Sequence, residues 1–190
     1  MIEGGIMKRV GCVWLAVFLV LMVWAYDSSA APYRHPATGL VFPDQLAGLN
    51  NVGVTEFDKA HPGSDVGIGY NGRNIILTIY LYYPSAPGFG SSGFKEHFDA
   101  CVDEIMKGRF RGQKTTEGTV SLKPAPANLS AQFASFSGVD KDLGEFVSSL
   151  YLTVYKGRFL KIRYTYGKSV RADAEATIKR VIEALSAMLD

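Results

Sequence analysis

Residues 146–166 read FVSSLYLTVYKGRFLKIRYTY, two alternating apolar runs joined at Lys156-Gly157. A period of two marks a strand, because successive side chains leave a strand on opposite sides. Phe146, Leu150, Leu152 and Val154 fall on one side of the first run, and Leu160, Ile162, Tyr164 and Tyr166 on one side of the second. A two-residue turn would set Leu152 opposite Lys161 and Leu150 opposite Arg163, which puts two cations in an apolar core. A three-residue loop, Tyr155-Lys156-Gly157, pairs Val154 with Arg158, Leu152 with Leu160 and Leu150 with Ile162. Its third position needs the left-handed backbone that Gly157 supplies. The expectation is therefore a bulged three-residue hairpin, since a slip of one residue would turn every apolar side chain to the wrong face.

In that register the outer face of the hairpin gathers Tyr151, Thr153, Phe159, Lys161 and Arg163, the candidate partner-binding face. Aromatic rings interleaved with cations can stack on nucleic-acid bases. The plainer reading of the same face is cross-strand packing of Tyr and Phe with solvated Lys and Arg.

The first thirty residues bear on which partner such a face would meet. Lys8 and Arg9 precede an apolar run from Val10 to Ala25, and small residues follow at Ser28, Ser29, Ala30 and Ala31. This is the pattern of a secretory signal, here residues 1–31, with a start at Met7 giving a cleaner basic head. The run of 16 residues is shorter than the about 20 that a spanning helix needs, so an uncleaved inner-membrane anchor is the alternative and the only membrane contact expected. Export to the periplasm or beyond argues against nucleic acid and favours an envelope protein, a glycan or an anionic surface. The formal charge of +2 is unchanged by removing residues 1–31, because two cations and two anions leave together. Such a balance is not that of a general nucleic-acid binder. Cys101 is the one cysteine left, which excludes an internal disulfide.

The remaining chain, residues 52–190 after an N-terminal arm at 32–51, holds one domain. In the arm, residues 39–43 suggest a short edge strand ended by Pro43, and Val52 to Phe57 suggests another strand. Asp65 to Tyr83 reads DVGIGYNGRNIILTIYLYY, and Asn71-Gly72 is the strongest short hairpin signal. A type I′ turn there pairs Tyr70 with Arg73, Ile68 with Ile75 and Val66 with Leu77. The opposite face carries Gly67 and Gly69, and glycines inside a strand imply that a neighbouring ring or backbone lies across them. Residues 84–93 form a flexible connection. A helix follows with Phe94, Phe98, Cys101, Val102 and Ile105 on one stripe, ended by Gly108. Strands are expected within 112–122 and 131–137, separated by a stiff linker at 123–127. Ser169 is the expected N-cap of a last helix whose stripe is Ile178, Val181, Ile182, Leu185, Met188 and Leu189. Two strong hairpins and two amphipathic helices make an α+β fold, an antiparallel sheet covered by helices.

This order of elements resembles the PsbP-like fold, through Asn71-Gly72, Lys156-Gly157-Arg158 and the closing helix from Ser169. The resemblance implies an accessory or assembly role without catalysis, in an exported domain. It brings no site residue with it, because no functional motif is matched.

Reactive side chains are few. His97 and Cys101 stand one helical turn apart, a spacing that suits two metal ligands or an imidazole activating a thiol, with Glu104 one turn further on. Their place on the apolar stripe reads instead as a buried cysteine beside a boundary histidine. His35 and His61 lie in Pro-flanked loops, the latter near Asp58 and Asp65, and would serve a small hydrolase if the domain were an enzyme. No nucleophile elbow, zinc-protease helix or phosphate-binding loop accompanies them, and the glycines of 88–93 lack the P-loop lysine. The expectation is a binding domain with no catalytic residue, no metal and no cofactor.

Overall fold

The computed structural model describes residues 31–61, 63–83, 91–107, 113–123 and 128–189. The signal segment, the connection at 84–90 with its glycines, the helix end at Gly108 and the linker at 124–127 lie outside the described residues. Ten strands and two helices are present among the described residues: β1 Tyr33–Arg34, β2 Val41–Phe42, β3 Gln45–Leu46, β4 Leu49–Glu56, β5 Asp65–Gly72, β6 Ile75–Tyr82, α1 Ser91–Lys107, β7 Gln113–Lys123, β8 Leu129–Asp140, β9 Gly144–Tyr155, β10 Arg158–Gly167 and α2 Arg171–Met188. Strands β1 and β2 form a small two-stranded sheet in the arm, and the others form one eight-stranded sheet in the order β3-β4-β5-β6-β10-β9-β8-β7. Every pairing is antiparallel. The α+β class stands, but the sheet is larger than two hairpins. The hairpins β5-β6 and β9-β10 are its middle, joined where Ile75–Tyr82 pairs with Phe159–Tyr166.

Both hairpin registers differ from expectation. In β9-β10, Arg158 pairs with Tyr155, Lys161 with Leu152 and Arg163 with Leu150, so the turn is the two-residue one. Lys156 at φ 48° and Gly157 at φ 73° are both left-handed, as a type I′ turn requires. The rejection of this register assumed that only one face of the hairpin is buried, whereas helices cover both. Leu160, Ile162, Tyr164 and Tyr166 share a cluster with Val181 and Leu185 of α2. Leu150, Leu152 and Phe159 share another with Phe98, Val102 and Ile105 of α1. The apolar sets of β9 and β10 therefore lie on opposite faces, and β9 is buried continuously from Ser148 to Thr153.

In β5-β6 the turn is Arg73-Asn74, with Asn74 left-handed at φ 54°, and Asn71-Gly72 belong to the strand. The pairs are Tyr70 with Leu77, Ile68 with Ile79 and Val66 with Leu81. A slide by an even number of residues keeps each face apolar, and this one pairs all eight residues of β5 with all eight of β6. Gly72 has a packing role instead, for a Cβ there would lie 2.7 Å from Cδ2 of the buried Leu49.

The last helix starts later than Ser169, which sits in a 3-10 turn at Lys168–Val170; the N-cap is Val170, without a side-chain capping bond. Tertiary burial of Ala174, Thr177, Val181 and Leu185 holds the helix to the sheet. The α1 stripe lies as its spacing implies, with Phe98, Cys101, Val102 and Ile105 buried.

Two glycine substitutions test these packing assignments. Gly72→Ala should destabilise by about 1–3 kcal/mol through overpacking against Leu49. Gly118→Ala, with nothing within 4 Å of its Cβ, should stabilise by about 0.5–1 kcal/mol by removing chain entropy from a strand. Urea unfolding midpoints moving in the same direction for both would contradict the close approach at Gly72.

Candidate binding face

The five residues expected to share the outer hairpin face do not share it. Tyr151 pairs with Ile162 on the α2 side, where Thr153 also points and donates to the Ser130 carbonyl at 2.7 Å. Phe159, Lys161 and Arg163 lie on the α1 side. Tyr151, Thr153 and Phe159 are all buried. The cations still meet aromatic rings, but those of β6. Lys161 Nζ stands 4.6 Å from the Tyr80 ring centroid and 5.4 Å from that of Tyr82, distances at which the ring quadrupole attracts an ammonium.

The α1 face is ordered in cross-strand rows. One runs Asp65, Tyr82, Phe159; the next Thr55, Gly67, Tyr80, Lys161, Leu152; the third Gly53, Gly69, Thr78, Arg163, Leu150. Helix α1 covers the β8-β9-β10 end of this face and reaches Tyr82 on β6, and among the described residues it does not cover Thr78 and Tyr80 or the β4-β5 end.

Under the helix, the Tyr82 hydroxyl lies 2.7 Å from His97 Nε2, with Cys101 Sγ 3.7 Å from the same nitrogen. The imidazole stacks on Phe159 at 4.2 Å and 13°. Burial drives all three groups toward their neutral forms. It raises the Tyr82 phenol and the Cys101 thiol, and it lowers His97, which the Lys161 charge lowers further. A protonated thiol beside a neutral imidazole is the reverse of an activated pair. Behind them Arg163 donates to Ser148 Oγ at 2.9 Å, while its Nε is buried with no hydrogen-bond partner among the described residues. Burial lowers the guanidinium's proton affinity. No set of three His, Cys, Asp or Glu side chains gathers as a metal-ligand group among the described residues.

Beyond the helix, the open end of the face forms a groove of about 310 Å³ lined by β4, β5 and β6. Its floor is Gly67 and Gly69. A Cβ on Gly67 would lie 3.1 Å from the Phe57 ring and 3.2 Å from Tyr80, and one on Gly69 would lie 2.9 Å from Val52. At Gly67 the neighbours are the rings that a strand glycine implies; at Gly69 the neighbour is the aliphatic Val52. A bulge at Asn51/Gly53 turns Val52 onto the rim. Val52 is 56% exposed and Phe57 55%, although both are large and apolar. Sequence reasoning placed both in a strand, Val52 to Phe57, and assigned neither to a site; the glycine pair opposite them was the available signal.

The loop histidines serve structure. His35 is fully buried. Its Nδ1 accepts from the Thr38 amide at 3.1 Å, so Nε2 carries the proton it donates to the Gly63 carbonyl at 2.8 Å. Arg158 donates to the Ser64 carbonyl at 2.9 Å and stacks on Tyr83, tying the loop before β5 and the end of β6 to the hairpin turn. His61 is exposed and pairs with Asp58 at 3.0 Å. The two do not converge on a common reactive atom.

Protonating His35 would take away the acceptor for Thr38. Its pKa is lowered in the fold, first by burial and then by the Arg158 charge, with Glu56 opposing. An unfolded chain with the ordinary value of about 6.5 then binds the proton more readily. The stability this neutral ring contributes is full above pH about 6.5 and is lost as pH falls toward the folded value. Thermal melts of wild type and His35→Gln across that window should converge at low pH; parallel curves would contradict it. Cys101, 4% exposed and with a raised thiol pKa, should react slowly with a thiol reagent in the native protein and fast in urea. Equal rates would place it outside the core.

No family model and no curated protein matches the chain. The structure is similar to the solution structure of cyanobacterial PsbP (CyanoP) from Synechocystis sp. PCC 6803, with a TM-score of 0.47 and 12% identity over 87% of this chain and 94% of that one. No residue, partner or activity is carried across this likeness.

Proposed function

We propose that this protein is a non-catalytic accessory or binding domain that works outside the cytoplasm and engages its ligand across the open end of the α1 face. The observation that carries the reading is the groove itself. Two strand glycines let Phe57, Tyr80 and Val52 lie close over β5, and Val52 and Phe57, both large and apolar, remain more than half exposed along the groove. Exposed apolar side chains beside a concavity mark interaction sites more often than isolated surface residues do. The titratable cluster under α1 supports the non-catalytic part, because burial raises the Cys101 thiol and the Tyr82 phenol and so holds both away from their nucleophilic, ionised forms. Export rests on the basic head, the apolar run and the small residues before Ala31.

A photo-crosslinking phenylalanine analogue at position 57, compared in cells with one at the exposed Glu183 of α2 on the far side, tests this. The expected result is a discrete adduct, protein or glycan, from position 57 and none from position 183. The same adducts from both positions, or none from position 57, would overturn the reading.

A further inference from the structure

We infer that the groove over β4, β5 and β6 is a saccharide-binding subsite that takes a neutral, pyranose-based oligosaccharide. This rests on the binding reading above and names its class of ligand. A pyranose offers a flat C–H face and a rim of hydroxyls, each both donor and acceptor. Its site must supply an aromatic platform and dispersed polar groups of both kinds.

The groove supplies these. Phe57 presents its ring in solvent on the rim, braced at 6.2 Å and 31° by Tyr80. Around it the side-chain hydroxyls of Thr55, Thr78 and Tyr80 make no hydrogen bond to protein among the described residues, unlike those of Thr38, Thr115 and Thr153. Beside Tyr80, Asp65 and Lys161 feel each other's charge but form no ion pair. Neither lines the groove, so the hydroxyls of Thr55, Thr78 and Tyr80 are the polar groups that face a sugar there.

Other occupants fit less well. An anion would meet Lys161 only with the Asp65 carboxylate nearby. An added peptide strand would meet the β4 edge at the Gly53 bulge, where φ is 124° and the ladder shifts. The volume of about 310 Å³ is near the lower end of small-ligand sites, about 300–1,000 Å³. Its open shape suits a short stretch of sugar chain more than an enclosed aromatic acid.

The test is amide chemical-shift mapping of the isotope-labelled protein with cellotetraose, maltotetraose and chitotetraose, and with tetragalacturonate as the anionic probe. At least one neutral tetrasaccharide should saturably shift the Gly67, Gly69 and Thr78 amides in the millimolar range. Phe57→Ala should weaken that binding about tenfold or more, since a buried ring face is lost. Thr78→Val, which removes only a hydroxyl, should weaken it less, and both variants should melt with the parent. The inference falls if no neutral sugar moves these amides, if only tetragalacturonate does, or if Phe57→Ala binds as wild type. A protein adduct from position 57 without sugar binding would sink this inference and leave the binding reading standing. Loss of the position-57 adduct altogether would sink the binding reading.

Discussion

The pairing of β6 with β10 is the contact on which the rest of the molecule depends. Each of the two hairpins is local in sequence, but alone each would leave two edges exposed, and β9-β10 would leave apolar side chains exposed on both faces. Joining Ile75–Tyr82 to Phe159–Tyr166 makes a single sheet wide enough to bury two separate clusters, one under each helix. The same register puts Tyr82 beside Phe159 and Tyr80 beside Lys161, so the polar cluster and the groove edge both follow from it.

Double-sided burial explains how the strands accommodate their charges. Lys161 and Arg163 face α1 without becoming isolated in hydrocarbon. The lysine lies over aromatic rings with its head partly in solvent, and the arginine finds Ser148. A long cationic side chain can lay its stem along an apolar surface and keep its head polar. A strand face carrying such residues therefore remains compatible with packing against a helix. What the cations could not have done is enter the α2 side, where Leu160, Ile162 and Tyr164 are almost fully buried.

The two ends of the α1 face do different work. Under the helix, burial pushes Tyr82, Cys101 and His97 to neutral forms that satisfy one another, a rigid polar patch in a packed layer. Past the helix, glycines replace side chains on β5, and the groups that cross them come from neighbouring elements, Phe57 just beyond β4 and Tyr80 on β6 over Gly67, and Val52 on β4 over Gly69. The result is a shallow concavity on a stiff sheet, with solvent at the hydroxyls of Thr55 and Thr78. Rigid walls with unengaged polar groups are what recognition of a small ligand requires.

Periodicity alone determined a good deal: the two hairpins, both amphipathic stripes, the antiparallel α+β class and the buried thiol. These depend on side-chain spacing, which local geometry translates directly into faces. The glycines at 67 and 69 likewise announced that something crosses them. Register was another matter. For β9-β10 the decision turned on whether a cation could face a helix, and for β5-β6 on how many residues could pair and on Leu49 reaching across Gly72. Both are set by elements distant in sequence. The grouping of Tyr151 and Thr153 with Phe159, Lys161 and Arg163 failed for that reason, since parity within a hairpin assigns faces only once the turn is known. Val52 and Phe57 were read only as the ends of a strand, because an apolar residue in an alternating pattern carries no mark of exposure. Only the tertiary structure, in which α1 stops short of β4 and a bulge turns Val52 outward, decided that this end of the sheet would stay open.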